Sequence, residues 1–124
     1  MSSVIEPRVI KKPWGREEIW GDIKGVCIGK TIHIDLGHRL SRQYHEKKEE
    51  VICVVRGVLR VEVGQDKEGR PEKVYTGGPG FTYHVTPGTI HRFCSNDGDV
   101  ALVEISTYYP NDVVRLEDDY NRSE

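Results

Sequence analysis

No charge of one sign dominates this 124-residue sequence: 18 basic residues against 20 acidic ones leave a formal net charge of −2. A polyanion-binding surface needs an excess of Lys and Arg. Neither nucleic acid nor an anionic membrane is therefore expected as a partner. No apolar run approaches the roughly 20 residues that a membrane-spanning helix needs. The N-terminal MSSVIEPRVIKKPWG has no apolar stretch of the kind a secretory signal carries. A soluble, cytoplasmic protein is expected. Cysteine is scarce. Cys27, Cys53 and Cys94 are odd in number and form no C-x-x-C pair, which excludes a disulfide framework. Each lies in a strand-like stretch and reads as a small buried hydrophobe. There is no long 3.6-residue period, no repeat, no low-complexity tract and no linker. These absences exclude a helical bundle, a solenoid and a second domain.

What is present is a series of short strand-like runs separated by glycine and proline turns. Runs are expected at 16–20, 26–35, 39–44, 51–56, 58–63, 81–85, 91–94 and 100–107, with a strand piece at Val74-Tyr75. Ile28, Lys30, Ile32 and Ile34 alternate onto one face, and VLRVEV alternates with Arg60 and Glu62 outward. Short strands at regular spacing read as an all-β sandwich or barrel in one domain, 1–124. Residues 1–12 read as an N-terminal arm. Residues 110–124 read as an acidic tail holding one helical turn from Asp112.

The chain is organised around residues 37–57, where Gln43, His45 and Glu50 are three candidate metal ligands; a fourth, His91, lies in 80–96. Residues two apart on a strand share a face, so Gln43 and His45 can address one point. Glu50 follows a charged four-residue connection, and a hairpin there would set it beside that pair. His91 opens a strand after the Pro87-Gly88 turn, and a closed barrel would bring it in from the opposite side. A carboxylate next to VICVVR wants a cation, and a metal is one.

Two motifs carry a family resemblance. The first reads Gly37-x5-Gln43-x-His45-x4-Glu50-x6-Gly57; the second reads Gly80-x5-Thr86-x-Gly88-x2-His91, with Pro87 one residue late and Ser95-Asn96 in place of a single Asn. In order and spacing they resemble the two motifs of the cupin superfamily, with Gln43 replacing its first His. A closer resemblance covers 12–122 and is to the C-terminal cupin domain of type II mannose-6-phosphate isomerases. It rests on Lys12-Pro13-Trp14-Gly15, Leu40-Ser41-x-Gln43-x-His45, Pro87-Gly88-x-x-His91-Arg92 and the run from Asp112 to Arg122. The resemblance implies a jelly-roll barrel (a double-stranded β-helix) and a homodimer. It also implies one divalent metal ion on Gln43, His45, Glu50 and His91. For two His, one Glu and one Gln, zinc fits best, with manganese, nickel and iron as the other candidates. The sequence departs from the family after His45: Lys47 and Lys48 stand where its pattern has His and Arg. Lys48 keeps the charge but loses the planar fork that grips phosphate with two bonds.

Such a site suits Lewis-acid work on the vicinal oxygens of a sugar or sugar phosphate, as in aldose–ketose isomerisation. Candidates for the proton shuttle are His84, Lys30 and Glu104. Candidates for substrate contact are Arg42, Lys48 and Arg92, while Arg115 and Arg122 either cover the mouth or pair with Glu117, Asp118 and Asp119. Two rival functions stand beside the isomerase: a cupin module that binds metal or carbohydrate without turnover, and another metal-dependent cupin enzyme such as an iron dioxygenase.

Overall fold

The computed structural model describes residues 1–122. Eleven strands run in chain order: β1 Arg8–Lys12, β2 Gly15–Ile23, β3 Cys27–Ile34, β4 Arg42–Tyr44, β5 Glu50–Arg56, β6 Leu59–Val63, β7 Lys73–Gly77, β8 Thr82–Val85, β9 His91–Cys94, β10 Val100–Thr107 and β11 Val114–Glu117. There is no helix among the described residues. Every strand pairing is antiparallel. They form a six-stranded sheet, β1-β2-β3-β10-β5-β8, and a five-stranded sheet, β11-β4-β9-β6-β7. The chain crosses between the sheets repeatedly, as an all-β jelly roll requires.

Two expectations at the ends are corrected. Arg8–Lys12, inside the stretch read as an arm, pairs with β2. The helical turn expected from Asp112 is instead a strand, β11, laid along β4. Both are edge strands rich in charge, so one-face alternation is weak in them.

The inward row of β3 continues into its neighbours. Lys30, Ile32 and Ile34 stand opposite Glu104, Leu102 and Val100 of β10. Glu104 and Leu102 in turn stand opposite Ile52 and Val54 of β5. The inner face of the large sheet is thus apolar at one end and charged at the other. The apolar end packs Ile32, Ile34, Val54, Val100 and Leu102 against Leu59, Val61 and Phe93 of the small sheet, all 2 % exposed or less. The charged end holds Lys30, Glu50 and Glu104.

Glu62, expected outward in solvent, does face away from the core but is only 7 % exposed. Arg42 covers it at 3.2 Å. Arg42 also donates to the Gly69 carbonyl at 2.8 Å. Arg92, fully buried, donates to the Leu40 carbonyl at 2.9 Å and to Glu117 of β11 at 2.6 Å. This outer layer of charge ties β11 onto the barrel.

Gly57 closes β5 with φ +82°. A Cβ there would overlap the Asp99 carbonyl oxygen. Gly25 has a similar φ, +78°, but open space around it. Gly57→Ala should therefore lose more stability than the roughly 1–3 kcal/mol of a non-glycine residue in this conformation. Gly25→Ala should lose no more than that range. Urea titration of both variants measures the difference, and equal losses would remove the clash from the account.

Candidate metal centre

The two sheets deliver the ligand side chains from opposite walls. Gln43 of β4 stands directly opposite His91 of β9 in the small sheet. His45 follows β4 on the same face. Glu50 opens β5 in the large sheet, opposite Ser106 of β10 and Val85 of β8. The connection 45–49 is therefore a crossing between sheets and not the expected hairpin. His91 lies in the same sheet as Gln43 and not in the opposite wall; Glu50 is the candidate ligand that comes from the far wall.

His45, Glu50 and His91 are buried, and their ligating atoms lie within 4.8 Å of one another. Glu50 Oε1 is 3.4 Å from Nε2 of each ring. The other ring nitrogens are committed: His45 Nδ1 faces the Asp112 carbonyl, and His91 Nδ1 lies 2.9 Å from the Thr89 carbonyl. A carbonyl only accepts, so each Nδ1 carries the proton and each Nε2 of a neutral ring presents a lone pair. Both Nε2 atoms lack a hydrogen-bond donor and are shut away from solvent. Two lone pairs and a carboxylate thus converge on one buried point.

Burial acts to raise the Glu50 carboxyl; facing His45 and His91, with Lys48 3.9 Å away, outweighs it and holds the group well below the usual carboxylate range. With both Nδ1 protons in use, an Nε2–H toward Glu50 exists only on an imidazolium. The point between the three side chains therefore calls for positive charge, either a ring proton or a metal ion. A divalent ion fits this donor set of two nitrogens and one carboxylate oxygen. Gln43 lines the adjoining cavity, and its Oε1 accepts from the Ser41 hydroxyl at 2.7 Å.

That cavity has a volume of about 150 Å³. Lys12, Lys30, Lys48, Arg115 and Arg122 on its wall outnumber Glu17 and Asp112. Charges of alternating sign run inward from it. Lys30 lies 3.2 Å from Glu17 and 3.9 Å from Glu104. Lys48 lies 3.3 Å from Glu104. Burial, and then the neighbouring Glu50 charge, push the Glu104 carboxyl up to about 7 despite Lys48 and Lys30.

Other sequence candidates lie elsewhere. His84 is on the outer face of β8, with its side chain 54 % exposed and 2.6 Å from Glu49, so it does not reach the cavity. Arg42 and Arg92 belong to the outer charge layer described above; each is one residue from a ligand and so faces the opposite way. Of the three substrate-contact candidates, only Lys48 lines the cavity. Glu17, Tyr109 and Asp112 line it too but were not singled out as site residues. Glu17 stands opposite Ile32 in β2, a register no local pattern reveals. Cys94 is buried and its thiol is pushed up to about 12, chiefly by burial, so it is an inert packing group.

A raised carboxyl sets the sign of a pH effect. Unfolded Glu104 ionises at the ordinary value of 4.5 and the folded one at about 7. Between these values the unfolded state releases the proton first, so this group costs stability as pH rises through that window. In metal-free protein, Glu104→Gln should gain melting temperature relative to the wild type on going from pH 4.5 to 7. A difference that stays flat over this range would remove the buried charge at Glu104.

Comparison with known proteins places this geometry. Residues 30–108 match the family model described as a cupin domain. KdgF from Halomonas sp. is similar at 17 % identity and a TM-score of 0.70, over 86 % of this chain and 89 % of that one. The capsular polysaccharide assembling protein CapF from Staphylococcus aureus is similar at 14 % identity and a TM-score of 0.73, over 92 % of this chain but 35 % of CapF. Oxalate decarboxylase from Bacillus subtilis is similar at 15 % identity and a TM-score of 0.73, over 90 % of this chain and 30 % of that one. Comparison with curated proteins finds none that matches. No helix among the described residues is long and apolar enough to cross a membrane. The matched segment begins at Lys30 in β3 and runs through all of β4 to β10, including both halves of the buried His45–Glu50–His91 cluster, and on that match the chain belongs to the cupin family.

Proposed function

We propose that the protein is a metal-dependent isomerase of a small sugar phosphate, of the mannose-6-phosphate type. The observation that carries the proposal is the junction of a buried, donor-free His45–Glu50–His91 cluster with a cavity walled by lysine and arginine. Gln43 supplies a fourth, neutral oxygen, and zinc suits the set best. A divalent ion there supplies Lewis acidity, lowering the pKa of a carbon-bound proton next to a substrate carbonyl. Lys30 and Lys48 place ammonium groups beside the oxygens on which charge develops. Lys48 remains an ammonium: burial acts to lower its pKa, but Glu104 and Glu50 outweigh that and raise it. Glu17, a carboxylate in the cavity wall, takes and returns the carbon-bound proton. Arg115, Arg122 and Lys12 form the cationic outer wall that receives the phosphate. The fold likeness to a capsular polysaccharide assembling protein is in keeping with a carbohydrate ligand.

A second reading is supported by Lys48. Its ammonium is spent on Glu104 and Glu50, which leaves less of it for a substrate and favours a cupin that holds metal and carbohydrate without turnover. The proposal also includes a homodimer. Val51, Val55 and Ile105 on the outer face of the large sheet, with Val26 in the turn before β3, are 41 to 61 % exposed, and a second copy of the chain would cover them. Analytical ultracentrifugation should show a dimer; a monomer at all concentrations removes this part.

Purified protein should carry one divalent ion per chain by elemental analysis, and His45→Ala, His91→Ala and Gln43→Ala should carry less. A coupled assay should show interconversion of mannose 6-phosphate and fructose 6-phosphate, reduced at least 10-fold in Glu17→Gln. Metal without turnover on any divalent ion would sink the isomerase and leave the binding module. Unchanged metal in the histidine variants would sink the site.

A further inference from the structure

The segment between β10 and β11 touches the metal centre at one residue. Asp112 meets the 45–48 stretch through both its backbone and its side chain. Its carbonyl faces His45 Nδ1. Its carboxylate accepts from three successive backbone N–H groups: Glu46 at 3.1 Å, Lys47 at 2.7 Å and Lys48 at 2.9 Å. These three residues make the crossing from the small sheet to the large one. The crossing links His45 on one wall to Glu50 on the other, and it carries Lys48 into the cavity.

Three successive N–H groups pointing at one carboxylate hold the crossing in a single turn. The same anchor sets where the Asp112 carbonyl lies, and that carbonyl sets which nitrogen of His45 carries the proton. His91 has an independent arrangement, because its Nδ1 partner is the Thr89 carbonyl within its own strand approach. The two imidazoles are thus oriented by different devices, one local and one supplied from 67 residues away.

We propose that Asp112 is the positioning residue of the metal centre. Its carboxylate staples the 46–48 crossing so that its carbonyl holds His45 in the Nδ1–H tautomer, with Nε2 turned to the point it shares with Glu50 and His91. The residue acts through His45 and the crossing, and not as a metal ligand. Only the affinity arm of the test rests on the metal reading above.

Asp112→Ala, Asp112→Asn and a control, Asp118→Ala, separate the cases. Asp118 lies in the same C-terminal region but pairs with Arg122, at 2.9 Å. In metal-free protein, at a pH high enough that both rings are neutral, ring nitrogen-15 shifts should report the Nδ1–H tautomer for both His45 and His91 in the wild type. Asp112→Ala should lose it at His45 and keep it at His91. Cobalt(II) titration read in the visible spectrum should show affinity lowered about 10- to 100-fold, the range for losing a ligand's hydrogen-bonded support. Asp112→Asn keeps one acceptor oxygen and should fall between; it also serves if the alanine variant does not fold. Asp118→Ala should bind cobalt as the wild type does. A wild-type tautomer and affinity within twofold in both Asp112 variants would overturn the proposal. Equal losses in Asp118→Ala would overturn it too, since the effect would then be general docking of the C-terminal region. A wild type that binds no cobalt overturns the metal reading instead, and the tautomer result then decides Asp112 alone.

Discussion

Glu50 is a carboxylate at 2 % exposure, facing two imidazole nitrogens that bring no proton. Desolvating such a group without a cation costs several kcal/mol. The rest of the inner charged end can be understood as a response. Lys48 approaches Glu50 from the cavity side, Glu104 sits behind Lys48, and Lys30 bridges Glu104 to Glu17. Each charge is placed to offset the one before it. The position left without a partner of its own is the one between the two rings, where a ring proton or a divalent ion would complete the set.

The barrel tolerates this because it is divided along its length. One end is closed by Ile32, Ile34, Val54, Val61, Phe93, Val100 and Leu102, which bury apolar surface from both sheets. That end carries the stability, so the other end can hold groups that a uniform core would reject. Outside the small sheet, Arg42, Glu62, Arg92 and Glu117 form a second polar layer of paired charges. The two layers share strands but not faces: Gln43 and His91 point in, Arg42 and Arg92 point out. Neighbours in sequence thus serve unrelated purposes.

That parity explains what was legible in the sequence. Strands β9 and β10 could be read to the residue, since the Pro-Gly and SNDGD turns bracket them. The His45, Glu50 and His91 side chains that cluster were legible from motif spacing. Arg42 and Arg92 misled because closeness in sequence to a ligand suggested closeness in space, which alternation forbids. His84 misled for a different reason: nothing in FTYHV says which face is covered, and only pairing with β5 decides it. The edge strands β1 and β11 lacked alternation because their exposed sides are charged. Glu17 and Asp112 were missed as site residues because their contacts are long-range and, for Asp112, largely to backbone N–H groups, which every sequence contains.

The Asp112–His45 contact also bears on the order in which the protein assembles. His45 follows the fourth strand, and its carbonyl partner precedes the eleventh. The loop this contact closes is about as long as the one Ile32 and Leu102 close in the apolar end, but it returns hydrogen bonds and not buried apolar surface, so it forms after that end has packed. Until it forms, the barrel can have its apolar end packed while His45 is free to turn and to exchange tautomers. On the proposed metal reading, ion selection would then be a late event in maturation, made by a nearly finished scaffold and not by a loose chain that would take whichever metal its histidines met first.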